Sequence, residues 1–190
     1  IPGSLVGSEM CIRDSYYTYS GEYTLDDTYG NILFDEERTA FVNAMVAFED
    51  VANITFTESN SISDSHILWA SLDDIDSGGS LGYAYLPSDE DYGGLATINY
   101  AYYYDPIHEE IDDAILSPGS YYFNTATHEL GHALGLGHPF DGASSFPGVN
   151  DTYDLGDNGL NAQPYTLMTY NDVEANDCLL YTSPSPRDFQ

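Results

Sequence analysis

The order of patterns along this 190-residue chain predicts an α+β domain: a twisted, mostly parallel five-stranded sheet, two main helices and an irregular C-terminal subdomain. Three observations predict it. Two stretches, beginning near Asp35 and Tyr121, repeat apolar residues at the three- and four-residue spacing of a helix face. Short alternating or apolar runs lie before and between them, as strands do. After the second helix, Phe140–Pro164 is polar and rich in Gly, Asn and Asp, and a loop of that length is uncommon unless it serves a function. The length suits one domain with a sizeable core, with the helices packed on one face of the sheet.

Each element has its own signal. Tyr16–Thr24 is aromatic and alternating, a first strand, and Asp26–Asn31 is a turn cluster. Phe41, Ala44, Met45, Phe48, Val51 and Ala52 mark a helix over 36–52, with Asp35 as N-cap and Glu36 and Glu37 at the positive end of its dipole. Asn53–Glu58 alternates, His66–Ser71 is a short apolar strand, and Leu81–Leu86 is another, ended by Pro87. Leu95–Tyr104 alternates again and is the last strand before the second helix. Asp105–Gly119 is an acidic loop. Tyr121–Leu134 is the second helix, with Phe123, Ala126, Leu130, Ala133 and Leu134 facing the core.

That second helix carries the chemistry. Thr127–Pro139 reads H-E-x-x-H-x-x-G-x-x-H. His128 and His132, four residues apart, lie one turn apart on the same helix face and can share one Zn²⁺ at about 2.0–2.1 Å. Gly135 ends the helix, because glycine tolerates the positive φ of the turn, and the turn brings back His138 as a third ligand. Three protein ligands leave one position open, the pattern of a catalytic rather than a structural zinc. Glu129, beside the first ligand, is placed to take a proton from water. Helix histidines without a metal are the bland alternative; the fixed glycine and third histidine argue strongly against it. Asp74–Gly78 and the Asp89–Asp91 cluster could hold Ca²⁺ through oxygen ligands, although a solvated acidic loop is the simpler reading of each. His66 and His108 read as ordinary strand and surface histidines.

Composition narrows the partners. The chain has 32 acidic residues against three basic ones, a formal net charge of −29. Such a surface argues against nucleic acid and anionic membranes. No apolar run reaches the roughly 18 residues of a membrane span. The two ends are unusual. Leu5–Asp14 reads as an in-frame translation of a common transposon-based sequencing adapter, and Cys178–Asp188 as the same adapter on the opposite strand. Residues 1–15 and 178–190 are therefore set aside, leaving 16–177. Both cysteines fall in the ends, so 16–177 holds no disulfide framework, and Arg38 is its only basic residue.

With the zinc helix and Thr166-Leu167-Met168-Thr169-Tyr170 both in view, the chain resembles the metzincin metalloproteases, and within them the serralysin group of secreted bacterial proteases (peptidase family M10). The resemblance is strongest over 121–170 and extends more loosely through Val51–Glu58 and Gly82–Pro87. It implies a zincin fold and a secreted zinc endopeptidase that uses one catalytic zinc, with 16–177 as a catalytic domain truncated at its C-terminal end. His128, His132 and His138 would be the zinc ligands and Glu129 the general base. Met168, in a Met-turn, would form the floor beneath the ligands. Tyr170 matches a tyrosine that can bind the metal and then swing away to stabilise an oxyanion. The threonines of this Met-turn stand where serines are commoner. Polypeptide substrates would bind extended along the sheet edge, for which Leu95, Ala96, Thr97, Ile98 and Asn99 are the candidates. A monomer is expected. A matrixin-like peptidase is the runner-up, and a non-catalytic zinc-holding module of a larger surface protein is the alternative from another class. An intact Glu129 argues against the module.

Overall fold

Two helices and one mixed sheet make up the core of the computed structural model, which describes residues 10–16, 23–25, 28–31, 34–59, 65–72, 80–89, 93–102, 104–105, 110–111 and 116–171. The strands are β1 (Met10–Tyr16), β2 (Tyr23–Leu25), β3 (Thr28–Asn31), β4 (Ile54–Glu58), β5 (Ile67–Leu72), β6 (Gly82–Ala84) and β7 (Leu95–Asn99). Strand β5 is the hub. On one side it pairs in parallel with β7, from Leu68↔Leu95 to Leu72↔Asn99. On the other side it meets β1 in parallel and then, further along, β3. Strand β4 lies beyond β1, and β6 closes the far side by pairing with β7. A separate two-stranded ladder joins β8 (Tyr104–Asp105) to β9 (Glu110–Ile111).

The expected α+β architecture is present, but the sheet is larger and more mixed than the sequence suggests. It has seven strands, and three pairings are parallel and three antiparallel. The parallel pairs are β1 with β4, β1 with β5 and β5 with β7. Residues 85–94, between β6 and β7, are too few to carry a crossover helix, so β7 can only return antiparallel to β6. The first strand runs over Met10–Tyr16 rather than Tyr16–Thr24, of which residues 17–22 lie outside the described residues. Met10–Ser15 of this strand belongs to the adapter-like N-terminal stretch. The candidate calcium loop at 74–78, most of the 89–91 cluster, His108 and residues 172–190 also lie outside the described residues.

Helix α1 spans Asp35–Glu49, three residues shorter at its end than the apolar spacing indicates, and Val51 and Ala52 are exposed. Its N-cap is Phe34, not Asp35. The Phe34 amide donates to the Glu37 carboxylate at 2.7 Å, which supplies the return half of a capping box. Glu37 is fully buried, and its other oxygen accepts a 2.6 Å bond from Ser71 Oγ on β5. One carboxylate thus joins the helix start to the central strand. Phe41 stacks on Trp69, with centroids 3.9 Å apart, and Ala40, Ala44 and Met45 complete the helix's contribution to the core.

Helix α2 (Tyr121–Ala133) begins where Ser120 Oγ accepts from the Phe123 amide. Phe123, Ala126, Leu130 and Ala133 are buried as expected, and Leu134 packs partly buried against them. The helix lies across β6 and β7 and alongside α1. Glu37→Ala would leave the Ser71 hydroxyl unpaired and the helix start uncapped. The expected loss is about 2–3 kcal/mol of unfolding free energy, read by urea denaturation. A loss below about 0.5 kcal/mol would show that the link carries no stability.

Candidate metal centre

The three motif histidines converge. Their Nε2 atoms form a triangle with sides of 3.0 Å (His132 to His138), 3.1 Å (His132 to His128) and 3.3 Å (His128 to His138). Three nitrogen lone pairs facing one another at this distance repel unless a cation lies among them. Two ligands of a tetrahedral zinc at 2.0–2.1 Å stand about 3.3 Å apart, so the triangle fits that ion. Among the described residues this is the one group of three or more His, Cys, Asp or Glu side chains able to hold a metal.

The tautomers follow from the other ring nitrogens. His128 Nδ1 lies 2.9 Å from the Leu167 carbonyl, and His132 Nδ1 lies 2.7 Å from the Leu136 carbonyl. His138 Nδ1 meets the Asp141 carboxylate. Each acceptor takes an Nδ1–H, which leaves Nε2 as a bare lone pair aimed at the centre. Burial reinforces this for two rings. It pulls His128 down to about 4, opposed by the Leu167 bond, and also lowers His132, so both are neutral near pH 7.

Glycines let the parts approach. Gly135 has φ of +98°, the left-handed geometry the sequence demands, and the turn brings His138 round. Gly131, within the motif, allows the floor: a Cβ there would stand 2.6 Å from Met168 Sδ. Met168 is accordingly buried beneath the helix. Gly82 on β6 does the same beside Glu129, since a Cβ would lie 2.4 Å from the Thr97 carbonyl and 3.2 Å from Glu129 Cγ. Glu129 is 6% exposed, accepts no hydrogen bond among the described residues, and is not sealed from solvent. Burial pushes its carboxyl up to about 8.

Tyr170 is half exposed, with its ring 4.8 Å from that of His138 and 5.6 Å from that of His128. Burial, with Glu129 and Asp141 nearby, raises its phenol above the usual value. Two neighbours went unread in the sequence. Phe140 stacks flat on His138 at 4.7 Å and borders Tyr170 at 5.3 Å. Asp141 anchors His138; a carboxylate three residues past the third histidine was the available signal.

The proposed substrate edge needs correction. Leu95–Asn99 is not an edge, because β5 and β6 cover its two sides. Thr97 and Asn99 are polar yet buried: Thr97 Oγ1 bonds the Tyr83 backbone and Asn99 Nδ2 the Ser80 carbonyl. Among the described residues, the open edge belongs to β6. Leu81 and Tyr85 bond to β7, so the alternate residues Gly82 and Ala84 turn their amides outward. The Gly82 carbonyl accepts from Ser80 Oγ.

The chain is similar in sequence to known proteins. The matrixin (peptidase M10) family model matches residues 17–153. The metallopeptidase AprA of Pseudomonas marginalis is 34% identical over 131 residues, covering 67% of this chain and 25% of its own length. A serralysin of Photorhabdus sp. (strain Az29) is 34% identical over 105 residues, covering 55% and 20%. Serralysin A of Dickeya chrysanthemi is 33% identical over 132 residues, covering 66% and 26%. The chain belongs to the M10 metallopeptidase (matrixin) family. Within it, the chain's sequence is similar to serralysins and AprA metallopeptidases. It spans about a quarter of the length of these relatives.

The buried pair makes the metal-free protein pH-sensitive in two windows. The lowered His128 value contributes stability above about 6.5 that is lost as pH falls toward 4. The raised Glu129 value acts oppositely, so stability falls as pH rises from about 4.5 to 8. In chelator, Glu129→Gln should stabilise the domain on the order of a few kcal/mol more at pH 8 than at pH 5, measured by denaturant titration. Equal effects at both pH values would contradict the burial of this carboxyl.

Proposed function

We propose that the chain is the catalytic domain of a secreted bacterial zinc endopeptidase of serralysin type, carried by residues 16–177. The observation that supports it most is the three-nitrogen triangle with every Nδ1 tied, next to a carboxyl with no structural partner. His128, His132 and His138 would hold one Zn²⁺, which supplies Lewis acidity toward water and toward a scissile carbonyl. Glu129 takes the proton of the attacking water and returns it to the leaving amine. Its elevated pKa in the metal-free site suits a group that must hold a proton and then give it up; a neighbouring cation favours its ionised form. The Tyr170 phenol, high in pKa and therefore protonated, donates to the developing oxyanion.

A polypeptide fits the open edge. An extended chain laid along Gly82–Ala84 meets the outward amides of β6, and Gly82 brings that edge against Glu129. The same carboxyl weighs against a purely zinc-holding module, which has no use for an unpaired, buried glutamate. None of these roles needs calcium, and a monomer suffices for every group named.

Casein hydrolysis by the zinc-loaded protein should vanish with chelator and return with zinc. Glu129→Gln should lower kcat by roughly 10²–10⁴-fold while zinc affinity stays close to that of the parent. Activity that survives both chelation and Glu129→Gln, or one bound zinc with no activity on any polypeptide, would reject the reading.

A further inference from the structure

We propose that Asn161 is a positioning residue for Tyr170, acting through Thr169 and Asn171 from the loop that precedes the Met-turn. No hydrogen bond among the described residues holds the Tyr170 side chain. Tyr170 is 54% exposed, and its ring lies beside those of His128, His138 and Phe140. The phenol's position therefore depends on its own backbone, and that backbone depends on the residues either side. Burial alternates there: Thr169 and Asn171 point inward, and Tyr170 points outward.

Both inward side chains are bound to Asn161, which is fully buried. Thr169 Oγ1 donates to Asn161 Oδ1 at 2.6 Å and accepts from the Asn171 amide at 3.1 Å. Asn171 Nδ2 donates to the Asn161 carbonyl at 2.9 Å and to the Thr152 carbonyl at 2.9 Å. The second side of Asn161 grips the loop, with Nδ2 donating to the Thr152 carbonyl at 3.2 Å and to the Asp154 carbonyl at 2.8 Å. The Gln163 amide donates to the Asn171 carbonyl at 3.2 Å and completes the tie. Every polar atom of the Asn161 side chain is used.

The chemistry needs asparagine. A carboxylate would offer an acceptor to Thr169 but no donors for two carbonyls, and an apolar residue would leave the buried Thr169 hydroxyl and the Asp154 carbonyl without the partner that Asn161 supplies, the Thr152 carbonyl keeping Asn171 Nδ2. None of the network's hydrogen bonds goes to the histidines' own anchors, which are the Leu136 carbonyl, the Asp141 carboxylate and, two residues before Thr169, the Leu167 carbonyl. Loss of the network frees the backbone on both sides of Tyr170, and zinc affinity reads separately whether the Leu167 carbonyl still holds His128. The network also explains why the chain spends a long polar loop here: the loop is the clamp.

The catalytic half of the claim rests on the proposed role of Tyr170; the positional half does not. Protein with ¹³C-labelled tyrosine is compared by NMR as parent, Asn161→Ala, Thr169→Val and Thr169→Ser, with Tyr170→Phe assigning the signal. The Trp69 indole resonance reports that each variant is folded. In the parent, the rings of His128, His138 and Phe140 should displace the Tyr170 resonance from that of an exposed tyrosine. It should collapse toward that position in Asn161→Ala and in Thr169→Val and stay displaced in Thr169→Ser, which keeps the hydroxyl. In the zinc-loaded protein, Thr169→Val should lower kcat roughly tenfold, with little change in zinc affinity, and should cost nothing further in a Tyr170→Phe background. An unmoved Tyr170 signal in folded Thr169→Val, or additive losses with Tyr170→Phe, would overturn the proposal. A parent with no hydrolysis while the NMR shifts hold would instead overturn the catalytic reading of Tyr170 and leave the clamp standing.

Discussion

Three imidazole lone pairs cannot be crowded into one small triangle without direction from behind. Each ring here is aimed by an acceptor on its far nitrogen: the Leu167 carbonyl, the Leu136 carbonyl and the Asp141 carboxylate. The three acceptors come from the Met-turn, the turn that ends α2, and the turn after His138. The rest of the local structure serves to bring those turns together. Gly135 reverses the chain, Gly131 admits Met168 beneath the helix, and the buried position of Met168 delivers the Leu167 carbonyl to His128. The metal site and the Met-turn are thus one packing unit.

Electrostatics then separate roles among neighbours. His128 and Glu129 are adjacent on one helix, and burial moves both toward their neutral forms, lowering one pKa and raising the other. A cation at the centre would reverse the balance for the carboxyl alone, because neutral histidine is already the ligating form. Metal-free protein accordingly stores a cost in Glu129 that ion binding relieves. The acidic chain as a whole, with net charge −29, adds a field that favours any approaching cation.

The site was more legible in the sequence than the sheet, for a physical reason. Ligand spacing on a helix is local: His128, Glu129, His132 and Gly135 report their geometry through a 3.6-residue period, and helix α2 lies where the period puts it. Strand order is non-local, and alternation does not say which side of a strand is covered. The alternation of Leu95–Asn99 suggests an edge strand, whereas β5 and β6 flank it on both sides. The end of α1 was overread because Val51 and Ala52 continue the apolar spacing beyond the helix without being buried. Phe140, Asp141 and Asn161 were missed because a loop has no period to betray which of its residues turn inward.

X-ray absorption at the zinc edge tests most directly whether the three aimed nitrogens make a single zinc site. Metal-stripped protein is titrated with one equivalent of zinc and its local structure measured. The expected spectrum has three imidazole ligands at about 2.0–2.1 Å with one further light atom, and it loses one imidazole in His138→Ala. Zinc that fails to bind stoichiometrically, or whose spectrum shows carboxylate oxygens in place of imidazoles, would contradict the account.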